Sequence, residues 1–151
     1  DVERDIYDYC LKAGCGMVTY DGDRVITGTD IDGYMTFEAS INHMEIMRID
    51  NFREYIDFPL NKCLLTADPD KAEKIEQELA EKFGDQLNIF RSEPYFVEIM
   101  PPNVHKATSL EKLLEVLDMD RKDLVACGDG YNDLTMIEYA GVGVAMKMHR
   151  T

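Results

Sequence analysis

The sequence has 151 residues, a formal net charge of −14 and a hydrophobic fraction of 45%. That is long enough for one ordinary domain or two small ones, and apolar enough for a core. The acidic balance argues against nucleic acid as a partner, because phosphate backbones demand basic surface, and the 16 Lys and Arg are scattered rather than gathered into an arm. No apolar run reaches the roughly 18 residues of a membrane span, and the N-terminal stretch has no signal-peptide pattern. Cys10, Cys15, Cys63 and Cys127 show no CxxC spacing. They read as reduced, partly buried thiols of a cytoplasmic protein rather than as disulfides or zinc ligands.

In chain order, Val2 to Ala13 reads as a helix with Ile6, Tyr9, Cys10 and Ala13 on one stripe. Met17 to Tyr20, Asp21-Gly22 and Arg24 to Thr27 read as a β-hairpin, since Asp-Gly suits the backbone angles of a tight turn. Asp30-Ile31-Asp32-Gly33 follows Thr27-Gly28-Thr29 rather than a buried strand, and is expected to be a turn or helix cap. Phe37, Ile41 and Met44 suggest the apolar face of a helix that also carries His43. Asn51 to Phe58 is ambiguous. Lys62 to Thr66 reads as a strand, and Asp68-Pro69 opens a helix with Ala72, Ile75, Leu79 and Phe83 inside and Gly84 at its end. Leu87 to Phe90 and Tyr95 to Met100 read as strands separated by Arg91 to Pro94. Pro101-Pro102 breaks the chain, because neither proline fits a central strand or a helix interior. An amphipathic helix with Leu110, Leu113, Leu114 and Leu117 on one side comes next.

The stretch Leu124-Val125-Ala126-Cys127-Gly128-Asp129-Gly130-Tyr131-Asn132-Asp133 reads as a short buried parallel strand running into an acidic turn. Leu134, Ile137 and Ala140 then mark one face of a helix. Gly128 and Gly130 let the backbone bend and approach a ligand. In an open α/β sheet, ligands bind beyond the carboxyl ends of the strands, where Asp129 and Asp133 would sit. Two carboxylates so close repel unless a cation lies between them, and oxygen ligands suit a hard cation, Mg²⁺ above all. Asp129 and Asp133 are therefore candidate metal ligands.

Gly128-Asp129-Gly130-Tyr131-Asn132-Asp133-Leu134-Thr135-Met136, followed by Ala140 to Met146, resembles the last motif of the haloacid dehalogenase (HAD) superfamily, in the version found in Cof-type phosphatases. Lys62 to Asp70, with Ser92, Pro94, Glu98 and Pro101 to Leu110, also looks like that family's cap end and hinge. The resemblance implies an α/β fold: the returning, parallel-sheet half of a Rossmannoid core (residues 101–151), preceded by an α+β cap domain of the C2B type (residues 1–100). It implies that the chain is an internal piece, with the nucleophilic aspartate lying outside it. It also implies that Asp129 is a Mg²⁺ ligand and that Asp133 ligates or holds metal-bound waters. Asn132 would donate to a phosphate oxygen or fix a lysine. Lys106 matches the lysine at the start of the helix after the cap, although His105-Lys106-Ala107-Thr108 stands where the family usually has Lys-Gly. Lys106, Asp129, Asn132 and Asp133 form the expected catalytic set. The expected function is Mg²⁺-dependent hydrolysis of a small phosphorylated metabolite, a sugar phosphate or flavin-pathway nucleotide, through an aspartyl-phosphate. A phosphotransferase or mutase of the same superfamily and a non-catalytic phosphosugar-binding module are the alternatives. A P-type ion pump shares a similar loop, but the cap-like insertion and the lack of a spanning segment count against it. Arg24, Arg48, Arg53 and Arg91 are phosphate or sugar candidates by charge alone, and each is expected to be solvated.

Overall fold

A computed structural model describes residues 2–130 and 133–147 of the chain. The backbone divides into two compact units, Asp1–Pro102 and Asn103–Thr151. The break falls directly after Pro101-Pro102.

The first unit is built on a six-stranded sheet in the order β3-β2-β1-β4-β6-β5. Its strands are β1 (Gly16–Asp21), β2 (Arg24–Thr27), β3 (Glu45–Arg48), β4 (Cys63–Thr66), β5 (Asn88–Glu93) and β6 (Phe96–Met100). All neighbours are antiparallel except β2 and β3, which run parallel through the crossover helix α2 (Gly33–Ile41). The β1–β2 hairpin closes at Asp21 and Arg24, with Gly22 at φ +60° as the first loop residue, an angle that costs glycine least. Neighbouring residues on the central strands point to opposite faces. Met17, Ile26, Leu65 and Val97 join the core under α1 (Val2–Ala13) and α4 (Pro69–Phe83), whereas Val18, Val25, Leu64 and Phe96 join the core under α2. Helices therefore cover both faces, which is why these strands read as continuous apolar runs although the sheet is largely antiparallel.

Several expectations need correction here. On α1 the expected stripe of Ile6, Tyr9, Cys10 and Ala13 does face the core, but Tyr7 joins it and is more deeply buried than Tyr9, packing 4.9 Å from Phe52 and donating to the Gly28 carbonyl. Helix α2 ends at Ile41. His43 lies beyond it at φ +54°, and Met44 precedes β3. The buried face of α2 is Met35, Glu38 and Ala39, while Phe37 and Ile41 are exposed. Glu38 can be buried because Tyr20 Oη and Asn42 Nδ2 donate to its carboxylate at 2.8 and 3.0 Å. The ambiguous stretch contains the short helix α3 (Phe52–Tyr55), anchored by buried Phe52. Strand β5 runs on through Arg91 to Glu93 with an irregular register, where a loop is expected from sequence. Asp68 caps α4 by position only, since its side chain instead accepts from Tyr34 Oη at 3.1 Å.

The second unit contains α5 (Lys106–Leu117), a 3₁₀ turn (Arg121–Asp123), β7 (Val125–Gly128), α6 (Leu134–Tyr139) and β8 (Val142–Ala145). Strands β7 and β8 pair in parallel, from Val125 with Val142 to Gly128 with Ala145. The expected burial of this unit's apolar residues is only partly met. Leu114 is buried, but Leu113 and Leu117 on α5 are 50% and 54% exposed, Leu134 is exposed, and Val125 on β7 is 63% exposed. Cys127 is exposed as well. The physical reason is that this sheet has two strands among the described residues, so no layer covers the outer faces of β7 and α5. No helix among the described residues is long and apolar enough to cross a membrane.

Leu79 is fully buried on α4, and Phe37 stands half out of α2. Leu79→Ala should cost about 2–5 kcal/mol of unfolding free energy in urea, and Phe37→Ala less than about 1 kcal/mol. Equal losses would contradict the two-faced core.

Candidate functional site

The site lies at the carboxyl end of β7. The strand ends at Gly128, and the chain turns through Asp129 and Gly130 before Asp133 begins α6. Asp133 is a buried carboxylate, and such a group must find donors. One oxygen, Oδ2, accepts from the backbone N–H groups of Asp129 at 3.1 Å and Gly130 at 3.2 Å. The other, Oδ1, pairs with Lys106 Nζ, 27 residues earlier at the first position of α5. The Lys106 ammonium, followed by the amide of Gly130 and then that of Asp129, holds the Asp133 carboxyl below the usual carboxylate range against the opposing effect of burial.

Gly128 serves this arrangement sterically. A Cβ there would lie 2.3 Å from the Asp133 Cβ and 2.7 Å from its carboxylate. The glycine therefore makes room for Asp133, and not only for an approaching ligand as the sequence suggests. This requirement and the Lys106 contact are absent from the local pattern, because both depend on groups that the fold brings together.

Lys106 is placed by a reciprocal cap at the start of α5. His105 Nδ1 accepts from Thr108 N at 3.4 Å, and Thr108 Oγ1 accepts from His105 N at 3.2 Å. The His-Lys-Ala-Thr run is a capping box in disguise, with histidine as the capping side chain. It accounts for the departure at His105-Lys106-Ala107-Thr108.

Asp129 differs from Asp133. It is exposed, and its carboxylate has no partner among the described residues. Its oxygens are free to meet a hard cation. No cluster of three or more His, Cys, Asp or Glu that could hold a metal occurs among the described residues. The chain thus offers one open carboxylate and one occupied one rather than a closed cage. That donor set fits Mg²⁺, which retains waters and takes few protein carboxylates. Asn132, the remaining member of the expected set, lies outside the described residues.

Asp30 and Asp32 form no such site. Asp32 caps α2 by accepting from Met35 N at 2.8 Å and also accepts from Thr66 Oγ1, while Asp30 pairs with Arg48 at 3.2 Å. The four arginines singled out by charge are not simply solvated. Each meets a carboxylate: Arg24 with Asp21, Arg48 with Asp30, Arg53 with Asp8, and Arg91 with Glu76 and Glu73.

The lysine-anchored acidic loop thus lies at the tip of a parallel strand, before a helix, where α/β folds place their ligand sites. Residues 1–149 match the family profile of haloacid dehalogenase-like hydrolases, and the chain belongs to that family. YxeH of Bacillus subtilis, provisionally named a phosphatase, is 27% identical over 146 residues, covering 93% of this chain and 53% of YxeH. YcsE of B. subtilis, named a 5-amino-6-(5-phospho-D-ribitylamino)uracil phosphatase, is 35% identical over 79 residues, 52% of this chain and 31% of its own. The crystal structure of a haloacid dehalogenase-like hydrolase from Bacteroides thetaiotaomicron superposes with a TM-score of 0.87 at 41% identity, over 93% of this chain and 53% of that one. The chain therefore spans about half the length or less of these relatives.

The depressed ionisation of Asp133 has a signed consequence. A carboxylate stabilised in the folded state contributes stability above its ordinary value of 3.8, and the contribution is lost as pH falls through the lower folded value. Asp133→Asn removes the titration. Between about pH 6 and about pH 3, the urea midpoint should therefore fall less in the variant than in the parent protein. An identical fall in both would contradict the placement of Asp133.

Proposed function

We propose that the whole protein is a Mg²⁺-dependent phosphomonoester hydrolase and that residues 103–147 carry the cation-holding part of its reaction centre. The attacking carboxylate in this reading is an aspartate outside residues 1–151, and the reaction passes through an aspartyl-phosphate. The observation that carries the reading is the division of labour between the two carboxylates. Asp133 is committed to Lys106 and two amides, whereas Asp129 is exposed and has no partner among the described residues.

Attack on a phosphomonoester requires neutralising charge and holding the groups in line. Mg²⁺, held by Asp129 with Asp133 behind it, would supply the neutralising charge. This chain's own residues do the rest. Lys106 keeps 47% of its side chain exposed while paired, so its ammonium can meet a phosphoryl oxygen without leaving Asp133. Asp133 is the positioning residue that aims the lysine and fixes the turn carrying Asp129. The amides of Asp129 and Gly130 already serve Asp133, so the turn acts as a platform for cations rather than as an amide cradle for phosphate. Asn132 takes the role of a donor to a phosphate oxygen, or of an acceptor through its carboxamide oxygen that fixes Lys106. A family relative named for a phosphorylated ribitylaminouracil supports a small phosphorylated metabolite as substrate, either a sugar phosphate or a flavin-pathway nucleotide. The acidic balance of the chain supports a small ligand rather than nucleic acid.

The test is hydrolysis of p-nitrophenyl phosphate by the full-length protein. Activity should vanish in EDTA and return with Mg²⁺, and Asp129→Ala should lower it by roughly 100-fold or more with an unchanged circular dichroism spectrum. Full activity in EDTA, or a parental rate in Asp129→Ala, would overturn the proposal.

A further inference from the structure

We propose that Cys10 and Cys15 form an oxidisable dithiol, a modification site at the end of α1 that closes to an intramolecular disulfide when a hydroperoxide reaches it. The sequence hides the pair, because four residues separate the cysteines and no CxxC motif is present. The helix end creates it. Gly14 turns at φ +64°, and the Cys15 N–H reaches back to the Cys10 carbonyl at 3.1 Å. Standard bond lengths on either side of that hydrogen bond cap the Cα separation at about 7 Å, the outer limit for a disulfide.

The surroundings assign different roles to the two sulfurs. Cys15 is 7% exposed, and both cysteines line a cleft of about 400 Å³ with Gly14, Thr29, Asp32 and Arg48, which gives a small oxidant a route in. The Cys10 thiol first, and then the nearby Lys71 ammonium, draw the ionisation of Cys15 down against burial and the Asp32 carboxylate, while Cys10 is pushed up by Cys15 and by burial. Lys71 Nζ is held there by donating to the Gly14 carbonyl at 2.8 Å. Cys10 is fully buried whereas Cys15 keeps some exposure to the cleft, so Cys15 is the attacking sulfur and Cys10 the resolving one. Cys63 provides the contrast: burial pushes its thiol up to about 12, and it has no such cation. Cys127 is exposed and far along the chain on β7.

The chemistry balances as a two-electron oxidation. The Cys15 thiolate attacks the terminal peroxide oxygen. An S–O bond forms, the O–O bond breaks, and the departing alkoxide takes up the thiol proton as an alcohol, or as water from hydrogen peroxide. Cys10 then attacks the sulfenic sulfur. The S–S bond forms, the S–O bond breaks, and water leaves with the Cys10 proton. Both sulfurs are oxidised and the hydroperoxide is reduced.

The cleavage pattern of trypsin reads the outcome directly. Cleavage after Arg4, Lys12 and Arg24 puts Cys10 and Cys15 on separate peptides, Asp5–Lys12 and Ala13–Arg24. The native full-length protein, exposed to hydrogen peroxide and then alkylated in denaturant, should yield these two peptides joined and lighter by two hydrogens, with Cys63 still alkylated. Reductant should separate them. Cys10→Ser should abolish the link and leave Cys15 as a sulfenic acid trapped by dimedone. Lys71→Met, which keeps both thiols, should slow linkage several-fold. Oxidation confined to Cys127, or Cys15 advancing to sulfinic acid with Cys10 free, would overturn the proposal, as would an unchanged linkage rate in Lys71→Met.

Discussion

The second unit depends on a single satisfied carboxylate. Asp133 is buried, and a buried carboxylate without donors would shift its ionisation or open the structure. Three donors from two separate places meet it: the amides of Asp129 and Gly130 in the turn, and the ammonium of Lys106 at the start of α5. The amides fix the turn and the ammonium ties α5 to it. Gly128 must lack a side chain for Asp133 to fit. Asp129, one residue further on, is exposed and has no partner among the described residues. The asymmetry of the two aspartates is thus the outcome of one carboxylate being consumed internally so that its neighbour can remain open.

The first unit works on a different principle. Its six-stranded sheet is covered on both faces, so each central strand contributes alternate residues to two cores. Its charged groups are neutralised locally: Asp32 caps a helix, Glu38 is satisfied by Tyr20 and Asn42, and the four candidate arginines meet carboxylates. In this unit the chemistry lies in sulfur at a helix end rather than in its many carboxylates.

Much of this was legible in the sequence where local physics decides. Helix α4 follows from Asp68-Pro69 and the spacing of Ala72, Ile75, Leu79 and Phe83, all of which are buried. The β1–β2 hairpin follows from Asp21-Gly22, and the strand, acidic turn and helix around Asp129 follow from glycine placement and a change of period. What escaped depends on tertiary partners. Periodicity alone puts Glu38 outside, because it cannot count the donors of Tyr20 and Asn42. Strand β3 is not legible because only Ile46 of Glu45 to Arg48 packs against the core, and pairing with β2 makes it a strand. Leu113 and Leu117 have the spacing of a buried stripe without a layer over them. At the site, the residue types were legible but not which carboxylate would be occupied, because that depends on Lys106 arriving from 27 residues away.

The most direct test of the Asp133 anchor is a double-mutant cycle in unfolding free energy between Lys106→Met and Asp133→Asn, because side chains in contact show a coupling that independent sites lack. Each single substitution should destabilise the protein, and the double variant should lose no more than the worse single. Strictly additive losses would show that the lysine and the carboxylate do not hold each other, and the account of the open Asp129 would fall with that result.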